Sequence, residues 1–163
     1  MNRQRAQTWL FVASIAFAFI LQLLPLPQAL LPLKPFWLAL IVLYWAIEVP
    51  ERIGLGLAFL LGIAGDMLSG ELLGEQSLRL IIFTFIVLRF RSRLRFFPMW
   101  QQALAVLALL LNDRVVQIMV RGFSGEAMPG AAFWIAPFVG MIAWPFVFLL
   151  LDDLRARLRV NES

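Results

Sequence analysis

Two short runs set ionisable side chains inside apolar sequence. The first, "GIAGDMLSGELLG" (Gly62–Gly74), places Asp66 among four glycines, with Glu71 and Glu75 close behind. The second, "LLLNDRVVQ" (109–117), places Asn112, Asp113 and Arg114 in the middle of a longer apolar stretch. A carboxylate in such surroundings serves a proton or ion pathway, an acid–base site, or an internal pairing that holds helices together. For Asp66 the partners within reach are the backbone amides of the glycine-rich turn, Ser69, and Arg79 beyond it. Capping the following helix is a further role open to it. Gln102, Asp113 and Gln117 fall on nearly one face at about 100° per residue, and Arg114 and Arg121 form a neighbouring stripe. These groups read either as interhelical bonds within a bundle or as a polar socket for a partner.

Most reactive chemistry is excluded by residue type. Cysteine and histidine are both absent, which removes disulfides, thiol nucleophiles, imidazole bases and the common metal-ligand sets. There is no phosphate-binding glycine loop followed by Lys-Ser/Thr. Asp66 and Asp113 do not stand in the paired motifs of intramembrane aspartyl chemistry, and a lone carboxylate lacks the chain of acids a relay needs. The sequence therefore predicts a protein with no catalytic residues, no metal and no cofactor.

The elements that must position these groups are set by composition. The 163 residues are 62% hydrophobic and their mean hydropathy is +0.86, whereas a soluble domain is roughly 45–50% apolar. Long unbroken blocks such as "LFVASIAFAFILQLL" replace the alternation of a barrel strand, so the expected fold is an all-α, polytopic transmembrane bundle. Apolar segments are drawn at about 8–24, 36–49, 53–68, 78–88, 98–120 and 131–151, forming one integral membrane domain. Spanning takes about 20 residues, so the second and fourth are short and must extend into their flanks or cross a thinned bilayer. Pro25, Pro27, Pro32 and Pro35 bar a helix between the first two segments. "EVPER" is short enough to predict a hairpin of the second and third. Trp144-Pro145 predicts a kink, and Trp9, Trp37, Tyr44, Trp45 and Trp100 are read as mostly interfacial.

Charge fixes the expected orientation. With the N-terminus inside, the cytoplasmic pieces hold Arg3, Arg5, Arg52, Arg89, Arg91, Arg93, Arg95, Arg155, Arg157 and Arg159, against Lys34, Arg79 and Arg121 outside. That bias predicts an even number of spans, six with four as the alternative, and both termini in the cytoplasm. "RFRSRLR" (89–95) is expected as a basic loop between the fourth and fifth helices that attracts anionic lipids or an acidic protein surface. A net charge of +4 without a basic soluble face gives no reason to expect nucleic acid.

Gly54, Ala58 and Gly62 recur every fourth residue and continue through Asp66 to Gly70, with Gly65 and Gly74 nearby. Such a ridge lets another helix approach to backbone contact, either within the chain or from a partner. If a partner docks there, Gly62→Leu weakens its binding and leaves membrane insertion intact.

Taken in order, these features resemble the MreD family of rod shape-determining proteins of Gram-negative bacteria. The resemblance rests on "LPLPQALLPLKPFWLALIVLYWAIEVPERIGLGLAFLLGIAGDMLSGELLG", then "WQQALAVLALLL" after a basic stretch, then "WPFVFLLL" before a basic tail, and it covers essentially the whole chain. Gly62, Asp66, Ser69, Gly70, Leu73 and Gly74 match the family's glycine–aspartate run, and Pro50 and Arg52 match the preceding turn. Asp113 with Arg114 has no counterpart in that pattern. The resemblance implies an inner-membrane, non-enzymatic component of the cell-elongation machinery that supports cell shape and lateral peptidoglycan synthesis. It implies direct pairing with MreC and, through it, a complex with MreB, RodZ, RodA and its transpeptidase. It also implies a six-helix arrangement similar to the substrate-binding subunits of energy-coupling-factor transporters. That similarity raises an alternative function, a small-molecule-binding subunit or transporter with a pocket at Asn112, Asp113 and Gln117.

Overall fold

The computed structural model of the chain describes residues 3–24, 27, 36–70, 74–123, 125 and 130–161. Six α-helices follow one another: α1 (Arg3–Leu23), α2 (Trp37–Glu48), α3 (Leu55–Ser69), α4 (Glu75–Phe96), α5 (Met99–Phe123) and α6 (Ile135–Asn161). Short 3-10 turns at Pro50–Arg52 and Ala131–Trp134 precede α3 and α6. Among the described residues, three helices are long and apolar enough to cross a membrane: Arg5–Leu23, Met99–Phe123 and Ile135–Leu158. The proline-rich stretch expected at the membrane surface lies, apart from Pro27, outside the described residues.

The second helix is the core of the molecule. Every residue from Leu38 to Ile47 is buried, against α1, α4 and α6. A helix apolar all round has no solvent face to offer and must be enclosed. At 12 residues it is about 18 Å long. It stops where Pro50 follows, since the residue before a proline disfavours helical backbone. Enclosure removes the need to match the bilayer, so neither of the expected remedies for a short span applies to it. Tyr44 and Trp45, read from sequence as interfacial, are instead fully buried, while Trp9 and Trp100 are mostly exposed. Trp45 meets Phe11 edge-on at 5.2 Å, and Tyr44 meets Phe148 likewise at 5.6 Å.

Other boundaries depart from the expectation for local reasons. The fourth helix runs about two turns beyond Leu88, to Phe96, so "RFRSRLR" is helical rather than a loop. Arginine is a good helix former, and cations in a last turn favour the negative end of the helix dipole. Pro98 sets the stop. The third helix packs chiefly on α4 and grazes α1, while α2 packs elsewhere, so α2 and α3 do not form the expected packed hairpin. Extended backbone at Ile53 and Gly54 carries the chain across before α3 begins. Pro145 lies inside α6, which continues through it.

Candidate functional site

The turn between α3 and α4 is built from its glycines. Gly70 ends α3 in left-handed backbone, φ 70°, and donates its N–H to the Asp66 carbonyl at 3.0 Å. Gly74 opens α4 at φ 97°. Side chains with a Cβ rarely adopt either conformation. Between them the Asp66 carboxylate accepts the backbone N–H of Gly74 at 2.8 Å and of Gln76 at 3.0 Å. Those are orphan donors of the first turn of α4, and a carboxylate there also favours the positive end of the helix dipole. Asp66 is 1% exposed, so its charge is answered by backbone rather than by water. The Ser69 side chain, Glu71 and Leu73 lie outside the described residues.

The small-residue face of α3 is occupied from within. A Cβ on Gly62 would overlap the Ser77 backbone and come within 2.8 Å of the Gln76 carbonyl carbon. One on Gly65 would meet the end of the Gln76 side chain, which can move aside more readily than backbone. Ser77 Oγ donates to the Phe59 carbonyl at 2.9 Å and ties the same seam. Ala58 is buried. Gly62 and Gly65 therefore seat α4, the packing within the chain that the ridge of small residues also allowed. Gly54 and Gly56 have no neighbouring atom within 4 Å of an added Cβ. The face that leads from Gly56 through Leu60 to Met67 is exposed, at 63% and 71% for the two side chains.

Arg79 turns to α5 rather than to Asp66. Its Nε and one terminal nitrogen donate to the two Asp113 carboxylate oxygens at 3.0 and 2.7 Å, with both residues buried. Phe36 lies under the guanidinium at 4.4 Å. The next residue, Arg114, donates to Gln117 Oε1 at 2.8 Å and stacks on Phe133 at 4.4 Å. Arg121, in the last turn of α5, approaches Glu75, in the first turn of α4, to 3.7 Å. Each charge faces the helix end that favours it. Gln102, on the same face of α5 but toward the other end, accepts from Trp144 Nε1 at 3.0 Å and donates to the Leu94 carbonyl at 3.0 Å. Asn112 is exposed and joins none of this.

At the opposite end of the bundle stands a second cluster that the sequence did not single out. Arg155 donates to Tyr44 Oη at 3.1 Å and to Glu48 at 3.4 Å, and Tyr44 donates to Asp152 at 3.3 Å. Tyr44/Glu48 and Asp152/Arg155 each have helical spacing, a signal that was present but names no partner helix. Nearby, Arg91 donates to the Ile47 carbonyl at 2.8 Å, while Arg89, Arg93 and Arg95 are exposed.

These arrangements join helices and leave little for chemistry. Among the described residues no three acidic side chains form a metal-binding group. The crevice beside Asp113, between Phe36, Leu110, Arg114 and Pro137, has no volume open to a water molecule.

Comparison with known proteins gives the geometry its context. The model of the family described as rod shape-determining protein MreD matches residues 3–154. The rod shape-determining protein MreD of Haemophilus influenzae is 31% identical over 160 residues, spanning 94% of this chain and 95% of that protein. No solved structure matches the chain.

Proposed function

The chain belongs to the MreD family of rod shape-determining proteins, and on that premise we propose that it is a non-enzymatic, multi-pass scaffold of the bacterial inner membrane that binds the transmembrane helix of MreC. Through that contact it joins the elongation complex with MreB, RodZ, RodA and its transpeptidase, and so supports lateral peptidoglycan synthesis. Both termini face the cytoplasm, where Arg89, Arg93 and Arg95 stand exposed toward anionic lipids.

The observation that carries the reading is the family match across nearly the whole chain. The geometry supports one place for the partner to dock. With Gly62 and Gly65 closed by α4, the face left for close helix approach is the outer side of α3, opened by Gly56 and continued by Leu60 and Met67. Small residues at such a face admit backbone contact, and dispersion between interlocking side chains supplies the affinity in lipid. Co-purification of MreC with the Gly56→Leu variant tests this. Loss of MreC with normal yield of the variant supports the docking face, and undiminished recovery rejects it.

A further inference from the structure

In the middle third of the three helices long enough to span a membrane, Asn112 is the one polar side chain exposed among the described residues. The exposed positions at the same level of the other two are apolar, with Val12 and Phe17 on α1 and Phe146 and Leu149 on α6. Asn112 stands close to midway between Met99 and Phe123. A helix of 25 residues is about 38 Å long and the hydrocarbon core is about 30 Å thick, so its middle lies deep in the bilayer. The carboxamide forms no hydrogen bond among the described residues. Facing lipid tails, it would leave two donors and an acceptor unanswered.

The residues around it form a seam rather than a scattered surface. Leu104, Ala108, Asn112, Val115, Met119 and Gly122 are the exposed positions of α5 between its first and last turns. They fall within about 80° of arc at 100° per residue, on the side turned away from α4 and α6, against which α5 packs. From Ala108 to Gly122 the steps alternate between four and three residues. That is the repeat of the contact line between two supercoiled helices, and a single asparagine on such a line fixes register and strand number. Ala108 and Gly122 are small enough for close approach, and an added Cβ on Gly122 would have no atom within 4 Å.

Membrane insertion in one orientation decides the partner. Two copies of the same chain in one bilayer are related by a two-fold axis along the membrane normal, so each residue meets its own counterpart at its own depth. A carboxamide both donates and accepts, so two Asn112 side chains satisfy each other across that axis. A different helix would have to bring a polar group to the same depth.

We propose that this seam of α5 is the interface between two copies of the chain, closed by reciprocal hydrogen bonds between the two Asn112 carboxamides. The seam uses none of the residues on the outer face of α3, so the dimer does not depend on the partner proposed to dock there.

Förster transfer between donor- and acceptor-labelled copies of the purified chain in liposomes, followed against protein-to-lipid ratio, tests the proposal with no other protein present. The expected result is a dimer whose dissociation constant rises about fivefold in Asn112→Leu and recovers in part in Asn112→Gln. Thermal melts of both variants should match the parent, since position 112 is exposed. In cell membranes, single cysteines at 108 and 115 should yield cross-linked homodimers, and single cysteines at the exposed positions 85 and 142 should yield none. A chain monomeric at every density, a dimer equally tight in Asn112→Leu, or homodimers formed only from 85 or 142 overturns the proposal. So does capture of a different protein, in place of a second copy, from 108 and 115.

Discussion

Arg79 and Asp113, 34 residues apart, face each other through two parallel hydrogen bonds of 3.0 and 2.7 Å and fasten α4 to α5 inside the bundle. A planar guanidinium matched to a carboxylate satisfies both oxygens at once, which is what a pair removed from water requires. Removing the Asp113 carboxylate leaves the Arg79 guanidinium buried without the acceptor that takes both of these bonds. We expect Asp113→Ala to destabilise the bundle by about 3–5 kcal/mol. The double replacement R79M/D113L should restore most of that loss. Thermal unfolding in detergent checks both, and a double variant no better than the single one would contradict the account.

The α3–α4 seam depends on the absence of a side chain at Gly62. Leucine there would drive the helices apart, because the atoms it meets are Ser77 and Gln76 backbone and cannot yield. We expect Gly62→Leu to lose folded protein in the membrane fraction, with a melting temperature well below that of the parent. Gly56→Leu should melt within a degree or two of the parent, since nothing lies near that position.

Asp66 is expected to act through the backbone of α4. Asp66→Ala leaves the Gly74 and Gln76 amides without their acceptor and should cost about 1–3 kcal/mol. Asp66→Asn keeps one oxygen acceptor and should fall between alanine and the parent. Cell-shape complementation that tracks this stability order supports a capping role. Full loss of function in a stable Asp66→Asn would instead favour a chemical role for the carboxylate.

How much of this was legible in the sequence depended on whether a feature is local. The first, fifth and sixth helices stood out because unbroken apolar runs of spanning length admit few other structures. The face shared by Gln102, Asp113 and Gln117 was readable from periodicity, and all three are buried. The backbone amides were among the partners open to Asp66, and they are the ones it holds. What periodicity cannot give is which face meets which. Arg79 stood near Asp66 along the chain yet binds Asp113, because α4 presents it to α5. Tyr44 and Trp45 carried the composition of an interface, but enclosure of α2 by three helices put them in the core. The Tyr44–Arg155 contact joins residues 111 apart and had no local mark beyond helical spacing on each side. The ridge of small residues was visible, but its division between Gly62, which seats α4, and Gly54, which has nothing near it, exists only in three dimensions, and the open face at Gly56 was not singled out.

The claim that the outer face of α3 receives the partner is tested most directly by site-specific cross-linking in cells. The native chain has no cysteine, so single cysteines at positions 56, 60 and 67 can be paired with cysteines along the transmembrane helix of MreC. Controls at Leu104 and Met119 lie on exposed positions of α5. The account predicts cross-links from 56, 60 and 67 with a helical repeat on the MreC side and none from 104 or 119. Cross-links from α5 with none from α3 would contradict it.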